Sequence, residues 1–225
     1  MDFSVIIPAY NEADNLKLLV PKLDARLRNI GRTYEVIVVD NASTDATQEV
    51  IGSLRAGLPA LRLVYEGKKG FGNALLTGFN AAQGEVIGYI HADNQMEPDD
   101  LVKVYEKLKR DGLNVCKATR LDRHDGFTRL VISKCYNLLF RLMFGVKLLD
   151  INGSPKLFTR DFYNRVKLES RDWFIDPEIV IKASRLGVPM GEVGIHTKPR
   201  PHGASQVRFQ TLLEFFKNMI HYWRQ

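Results

Sequence analysis

Two oxygen-bearing side chains, Asp93 and Gln95, directly follow an apolar segment, residues 86–90, that has the pattern of a buried strand. Ligands of α/β proteins bind at the carboxyl ends of strands, and hard divalent cations take oxygen ligands. A cation held there could bind a diphosphate and neutralise its charge as it leaves. Asp, Asn and Pro are also common in ordinary turns, so this segment alone leaves both a metal site and a plain turn open.

Two further strand-like segments also end in polar turns. Residues 4–7 run into Pro8-Ala9-Tyr10-Asn11-Glu12, and residues 34–39 run into Asp40-Asn41-Ala42-Ser43. Backbone N–H groups at the start of the following helix, together with nearby polar side chains, can hold a nucleotide. An ordinary capped turn between a strand and a helix is the alternative interpretation.

In this order the three segments resemble the family-2 glycosyltransferases of the GT-A fold. From about residue 3 to residue 207 the chain is most similar to the dolichyl- or polyprenyl-phosphate sugar (mannose or glucose) synthases. The resemblance implies an α/β fold with a Rossmann-like, mostly parallel central sheet and helices on both faces. It implies inverting, metal-dependent transfer of a sugar from a nucleotide-sugar donor, GDP-mannose or a UDP-sugar, to a polyprenyl or dolichyl monophosphate. The implied cofactor is Mg²⁺ or Mn²⁺.

The implied donor site draws on several stretches of the chain. It comprises Pro8, Ala9, Tyr10 and Glu12 against the base and ribose, Asp40 against a base N–H, Lys69 and Gly72 in a basic glycine-rich loop, His91 and Ala92 in the metal turn, and Arg200 and Ser205 in a loop that closes on the diphosphate. For Lys69 a solvated turn is the alternative. Gly70-x-Gly72 imitates part of a dinucleotide fingerprint, but Leu75 takes the place of its third small residue. The sequence therefore disfavours an NAD site.

In the family the metal turn usually reads Asp-x-Asp. Here it reads His91-Ala92-Asp93, so His replaces the first Asp. Asp93 and Gln95 are the implied metal ligands, and His91 either faces the ribose or binds the metal through a ring nitrogen. With one carboxylate fewer, we expect weaker binding of Mg²⁺. Gln206 stands where the family more often has Lys, so one charge that closes on the diphosphate is also absent.

A set of basic and polar residues in the second half of the chain could bind a phosphate acceptor. Arg129, Ser133 and Asn137 are spaced four apart and therefore share one helix face, and Arg120 follows a predicted strand. Arginine makes forked bonds to phosphate oxygens. The resemblance implies acceptor binding by these four residues and by Lys156. A solvated helix face with surface arginines is the alternative.

Asp176 lies in an acidic motif at a predicted helix start, where family members that glycosylate hydroxyls have their general base. The predicted catalytic residues are thus Asp93, Arg120, Arg129, Ser133 and Asp176. Two rival functions stay open: transfer to a saccharide hydroxyl with Asp176 as base, and a catalytically silent module that binds a nucleotide sugar, which His91 suggests.

Strand-like and helical patterns alternate through the first half, which predicts a mostly parallel sheet. The 225 residues, 45% of them apolar, are enough for one domain with a sizeable core. We expect a single domain over residues 1–225, with a nucleotide-sugar-binding half (1–119) and an acceptor-binding half (120–225) that ends in an amphipathic helix. The two cysteines, Cys116 and Cys135, are predicted to be buried, reduced thiols.

The net charge of +6 permits an anionic partner. Nucleic acid is disfavoured, because the basic residues accompany apolar surface and not a stacking platform. The basic, apolar residues 127–149 and the terminal helix favour peripheral binding to an anionic membrane surface, although both helices could equally pack inward. No secretory signal and no apolar run of about 18–20 residues is visible. The expected location is cytoplasmic, at the cytoplasmic face of a membrane.

Overall fold

The computed structural model describes residues 1–122, 127–199 and 209–224, and of residues 127–131 and 209–213 it describes only the backbone. The strands are β1 (Phe3–Ala9), β2 (Tyr34–Asp40), β3 (Leu61–Tyr65), β4 (Val86–Tyr89), β5 (Val115–Arg120), β6 (Lys156–Thr159) and β7 (Met190–Ile195). The helices are α1 (Ala13–Arg28), α2 (Thr47–Arg55), α3 (Phe71–Ala81), α4 (Pro98–Arg110), α5 (Phe127–Phe144), α6 (Arg160–Arg165), α7 (Ile175–Arg185) and α8 (Phe209–Arg224).

These strands form one sheet in the order β3-β2-β1-β4-β6-β5-β7. Only β6 runs against its neighbours, β4 and β5, and every other adjacent pair in this sheet is parallel. The carboxyl ends of the parallel strands and the amino end of β6 therefore lie along one edge, which we call the C-terminal edge. The chain extends the sheet from β1 through β2 to β3 and then returns to place β4 on the other side of β1. This reversal of strand order is where open α/β sheets bind their ligands.

Helices cover both faces of the sheet, as the alternating pattern predicts. On β1, Val5 and Ile7 face the cluster that includes α1 and α4, whereas Ile6 faces the cluster that includes α3 and α7. This alternation follows from the two-residue period of a strand. Leu16 of α1 and Phe79 of α3 are wholly buried against the two faces, so the sheet is the middle layer of three.

A third apolar cluster lies beside the sheet, where α5, α7 and α8 meet. Its buried members include Phe140 of α5, Val180 of α7 and Met219 of α8. Tyr136 of α5 packs edge-on against Phe215 of α8, with ring centroids 5.5 Å apart. Part of each predicted membrane-facing helix therefore packs inward.

The two cysteines differ in their surroundings. Both are free thiols, but Cys116 is buried in β5 whereas Cys135 is exposed on α5. Burial raises the pKa of the Cys116 thiol to about 11. The prediction of two buried thiols is therefore wrong for Cys135, because α5 carries apolar residues around most of its circumference and only one side of it packs.

Candidate functional site

Strained backbone marks the turns at the C-terminal edge. Asn11, Ala42 and Asn94 follow β1, β2 and β4 and have φ angles of 56°, 57° and 55°. Left-handed backbone in a residue other than glycine is costly and tends to occur at functional sites. The first two turns hold each other, since the Asn11 N–H donates to Ser43 Oγ at 3.0 Å. Asn94 Nδ2 donates to the carbonyl of Asn15, at 3.0 Å. The three turns are thus fixed relative to one another and to α1.

Two predicted donor residues from different turns meet at this edge. Lys69 Nζ lies 2.7 Å from the Tyr10 hydroxyl oxygen and 4.3 Å from the centroid of the Tyr10 ring. The loop that carries Lys69 is held by Asn41, whose Nδ2 donates to the Lys68 carbonyl at 2.7 Å. The Asn41 Oδ1 accepts from the Gly70 N–H at 2.8 Å. Sequence reasoning missed Asn41, because its role depends on the pairing of β2 with β3.

Two further predicted donor residues, Asp40 and Gly72, make close contacts within the protein. The wholly buried Asp40 accepts from the Ser43 N–H at 3.2 Å and from Gln48 Nε2 at 2.6 Å. A carboxylate can accept about four hydrogen bonds. Asp40 could therefore accept one from a donor base in addition to these two. A Cβ at Gly72 would lie 2.3 Å from the carbonyl oxygen of Ser170. Close backbone packing therefore accounts for Gly72, and its contact with the donor stays a prediction.

In the metal turn, the Asp93 carboxylate contacts the backbone of Gln95, and Gln95 Nε2 donates to the Lys198 carbonyl at 3.4 Å. Asp93 is buried, and its Oδ1 accepts from the Gln95 N–H at 3.1 Å. The carbonyl of Gln95 accepts from the Lys198 N–H at 2.8 Å, and Lys198 Nζ lies 2.5 Å from Glu97 Oε1. The end of this turn is therefore held by the segment that leads toward residue 200.

The oxygens of Asp93 and Gln95 suit a hard cation that takes its remaining ligands from phosphate and water, as Mg²⁺ commonly does. Within the described ranges, no three His, Cys, Asp or Glu residues come close enough to form a metal site unaided. The donor set therefore fits a cation bound jointly by protein and substrate, and not a closed protein site.

His91 is part of a stack of aromatic rings. Its imidazole lies nearly parallel to the ring of Phe71, with centroids 5.1 Å apart. Phe71 also stacks on Trp173, with centroids 4.4 Å apart. The stack joins the metal turn to the start of α3 and to the segment before α7. Neither Phe71 nor Trp173 was among the predicted site residues, since no spacing along the chain links them to His91.

The predicted acceptor residues surround the loop between α5 and β6. Arg120 forms a fork with Asp150, in which Nε and Nη2 lie 2.7 and 3.0 Å from the two carboxylate oxygens. On α5, Asn137 Nδ2 lies 3.4 Å from Ser133 Oγ, and Asn137 Oδ1 accepts from the Ile151 N–H at 3.0 Å. The structure thus brings Arg120, Ser133 and Asn137 to one loop. The side chain of Arg129 and the whole of Arg200 and Ser205 lie outside the described residues.

Two polar atoms beside this loop lack a partner among the described residues. They are Thr119 Oγ1, next to Arg120 in β5, and Asn152 Oδ1, and both are buried. A buried polar group without a hydrogen bond is costly, so such an atom calls for a bound water or ligand group. Sequence reasoning missed Thr119 and Asn152, because the signal is burial and not residue spacing.

Lys156 and Asp176 are bound to each other in the interior. Lys156 is wholly buried and Asp176 is 4% exposed, and Lys156 Nζ lies 2.7 Å from Asp176 Oδ1. The hydroxyl of Tyr89 donates to the same oxygen. Burial raises the pKa of the Asp176 carboxyl and lowers the pKa of the Lys156 ammonium, since it disfavours both charged forms. In this geometry neither side chain is positioned to touch an acceptor.

The sequence and the fold both have known counterparts. Residues 4–167 match the family described as Glycosyl transferase family 2. A dodecaprenyl-phosphate galacturonate synthase from Rhizobium johnstonii is 32% identical over 98% of this chain and 67% of its own length. An undecaprenyl-phosphate 4-deoxy-4-formamido-L-arabinose transferase from Pectobacterium atrosepticum is 26% identical over 96% of this chain and 66% of its own length. The chain thus spans about two thirds of these relatives.

Among solved structures, the chain is similar to glucosyl-3-phosphoglycerate synthase from Mycobacterium tuberculosis. A crystal structure of that protein with Mn²⁺, UDP and phosphoglyceric acid gives a TM-score of 0.76 at 18% identity, over 98% of this chain and 76% of that one. A second crystal structure, with Mg²⁺ and UDP, gives a TM-score of 0.75 at 18% identity, over 98% of this chain and 77% of that one. The predicted GT-A fold is confirmed by this likeness.

Proposed function

The chain belongs to glycosyl transferase family 2, and from this premise we propose that it transfers a sugar from a nucleotide diphosphate sugar to a polyprenyl monophosphate. We further propose that the transfer inverts the sugar's configuration and requires a divalent cation. The two relatives described above are named for dodecaprenyl phosphate and undecaprenyl phosphate, which supports a lipid phosphate as the acceptor. Residues 1–119 supply the donor site, apart from the closing loop with Arg200 and Ser205, and residues 120–225 supply the acceptor site.

The burial of Asp176 is the observation that favours a phosphate over a hydroxyl as the acceptor. A hydroxyl acceptor needs a general base within hydrogen-bond reach, and Asp176 instead receives bonds from Lys156 and Tyr89. A phosphate monoester has a second pKa of about 6 and is largely ionised at neutral pH. It therefore attacks without a protein base, and the burial of Asp176 is compatible with activity.

With the nucleophile already ionised, catalysis rests on positioning and on charge stabilisation at the leaving group. Arg120, fixed by Asp150, would orient the acceptor phosphate, together with Ser133 and Arg129. The buried Thr119 hydroxyl, which lacks a partner among the described residues, is a further candidate contact. The loop carrying Lys69 would bring a positive charge to the donor diphosphate, and Arg200 would add a second one.

Asp93 and Gln95 would hold the cation, with the diphosphate completing its coordination. When bound, Mg²⁺ or Mn²⁺ neutralises negative charge on the departing nucleoside diphosphate. The likeness to structures that contain Mn²⁺ or Mg²⁺ with UDP supports this assignment of the metal turn. His91, stacked on Phe71, would border the donor without providing the carboxylate usual at that position.

We propose that the exposed side of α5 and α8 binds an anionic membrane. Leu138 and Leu142 of α5 are 51% and 75% exposed, and Ile220 and Trp223 of α8 are 46% and 58% exposed. The exposed basic residues around them are Lys134, Lys147, Lys217 and Arg224. Exposed apolar residues beside basic ones are typical of interfacial helices. Across the described part of the chain, no helix has the length and apolarity to span a bilayer.

A donor screen tests the proposed function. Purified protein with Mn²⁺ or Mg²⁺ is given GDP- and UDP-sugars together with a short polyprenyl phosphate, the matching polyprenol, or a saccharide. We expect glycosylated polyprenyl phosphate and no product from polyprenol. Product from a saccharide alone would favour the hydroxyl-acceptor rival. Donor binding with neither transfer nor hydrolysis in any arm would favour the silent module.

A further inference from the structure

A row of polar side chains crosses the sheet just below the C-terminal edge. The strand register pairs Tyr89 of β4 with Lys156 of β6, Lys156 with Lys117 of β5, and Lys117 with Glu192 of β7. Residues paired across neighbouring strands point to the same face of a sheet. The four side chains therefore form one continuous row, which we call the polar row.

Three members of the polar row are buried, Glu192 is partly exposed, and each of the two lysines faces a carboxylate. Lys117 and Lys156 are both wholly buried. Lys117 Nζ donates to the Ala118 carbonyl at 3.1 Å and lies 3.6 Å from Glu192 Oε2, and Lys156 pairs with Asp176 at 2.7 Å. A buried ion pair rarely gains stability over an apolar pair of the same volume. Stability alone is thus a poor explanation for two buried lysines side by side.

The polar row holds residues 149–151 from two directions. Lys156 Nζ donates to the Ile151 carbonyl at 3.3 Å, and the Glu192 carboxylate accepts from the Leu149 N–H at 2.9 Å. From α5, Asn137 Oδ1 accepts from the Ile151 N–H at 3.0 Å. The residue between these anchors is Asp150, whose carboxylate forks onto Arg120.

The other end of the polar row adjoins the donor side of the site. The ring of Tyr89 packs edge-on against those of Phe71 and His91, with centroids 6.0 and 6.1 Å apart, and its hydroxyl shares the Asp176 oxygen with Lys156. Asp176 lies three residues after Trp173, which stacks on Phe71. One buried junction therefore touches both the aromatic stack beside the metal turn and the loop beside Arg120.

We propose that the polar row is a positioning element: Lys156 and Glu192 fix residues 149–151 so that Asp150 aims Arg120 at the acceptor phosphate, and Asp176 is the counter-ion of Lys156. This reassigns Lys156 from phosphate contact and Asp176 from general base. The acceptor part of the inference rests on the proposed function, whereas the anchoring of residues 149–151 does not.

A paired replacement separates positioning from stability. Lys156→Met alone leaves Asp176 buried without its ammonium partner and is expected to destabilise the protein. The double variant Lys156→Met/Asp176→Leu removes both charges and is expected to recover most of the melting temperature. It still lacks the bond to the Ile151 carbonyl. We therefore expect its KM for a short polyprenyl phosphate to stay raised, on the order of tenfold, with unchanged affinity for the nucleotide, UDP or GDP, that the wild type binds.

Asp176→Asn is the conservative variant, because its side-chain oxygen can still accept from Lys156 and Tyr89. Its kcat is expected to remain within a few-fold of wild type, whereas loss of a general base costs about 10²–10⁴-fold. Glu35→Gln is the matched control: Glu35 is buried at the opposite edge, where it accepts from Ser4 Oγ at 2.7 Å and pairs with Arg62. This substitution is expected to lower the melting temperature without changing the KM for the polyprenyl phosphate or the KM for the nucleotide sugar.

Hydrogen exchange supplies a readout that needs no activity. In Lys156→Met/Asp176→Leu, the amides of Leu149 and Ile151 are expected to exchange at least several-fold faster, while those of β1 keep their wild-type protection. Unchanged exchange at residues 149–151, or recovery of the acceptor KM along with stability, overturns the inference. If wild-type protein does not use polyprenyl phosphate, the proposed function fails, and the exchange result still decides whether the polar row anchors this loop.

Discussion

Arg120 and Asp150 form a two-bonded ion pair that joins the end of β5 to the loop after α5, with N–O distances of 2.7 and 3.0 Å. Both members are at least half buried, so the pair fixes the plane of the guanidinium. A planar group fixed in this way can present its N–H bonds to a phosphate in one orientation. The position of the loop therefore determines the direction in which the Arg120 guanidinium points.

Replacing Arg120 by Lys tests that geometry. The charge is kept, but an ammonium cannot form the two-bonded fork with Asp150. We expect kcat/KM for polyprenyl phosphate to fall about tenfold or more, with little change in nucleotide affinity measured by calorimetry. Arg129→Ala is expected to act in the same direction. If both variants keep wild-type acceptor kinetics while Asp176→Asn is inactive, the hydroxyl-acceptor rival is correct.

Asp93→Asn tests the metal turn. Asparagine keeps an oxygen that can accept from the Gln95 N–H, so the turn and the melting temperature are expected to be preserved. It loses the negative charge that favours a divalent cation. Transfer is expected to fall about 100-fold or more at saturating metal. If activity returned to the wild-type level at high metal concentration, Asp93 would contribute to metal affinity only and would not be needed for transfer once the metal is bound.

His91→Asp restores the carboxylate that the family pattern has at this position. One more anionic oxygen is expected to lower the Mg²⁺ concentration that gives half-maximal activity. The same change removes the stacking of His91 on Phe71, which we expect to cost about 1 kcal/mol of unfolding free energy. Metal titration and thermal melting read out the two effects separately. A higher Mg²⁺ requirement would instead identify His91 as a ligand in its own right.

Local signals in the sequence predicted the helices and strands of the first half well, because each strand there ends in a polar turn that starts a helix. The turns after β1, β2 and β4 meet at one edge as a direct consequence of parallel pairing. The family resemblance assigned Tyr10 and Lys69 to one donor site, and the structure places these two side chains in contact.

The positions of Lys156 and Asp176, the two residues that we propose to reassign, depend on a long-range insertion. β6 is antiparallel and lies between β4 and β5, and no pattern in the sequence indicates that placement. It carries Lys156 into the interior, next to Lys117 and beneath Asp176. The role of a buried charge is set by register and burial, which spacing along the chain does not reveal.

The difference between the two cysteines predicts how many of them a thiol reagent modifies in the folded protein. Cys135 is exposed, whereas Cys116 is buried and its raised pKa, about 11, leaves almost no reactive thiolate near pH 8. A thiol reagent is expected to modify one cysteine per folded chain and two in denaturant. Mass spectrometry should place the first label at Cys135. Rapid labelling of both thiols in the folded protein would contradict the packing of β5.

Cys135 also provides a native probe for the proposed membrane face. It precedes Leu138 by three residues and Leu142 by seven, so all three share one side of α5. With vesicles containing anionic lipid at low salt, we expect labelling of Cys135 by a water-soluble maleimide to slow several-fold. High salt should restore the rate, because the basic residues around this face would then be screened.

Leu142→Glu is the matched variant for this experiment. Leu142 is 75% exposed, so the substitution is expected to leave the fold intact. It places a negative charge on the side of α5 that would meet anionic lipid, and the protection of Cys135 should disappear. Vesicle flotation must agree with the labelling. Equal labelling rates with and without anionic vesicles, together with no flotation at low salt, would show that α5 and α8 do not bind membranes.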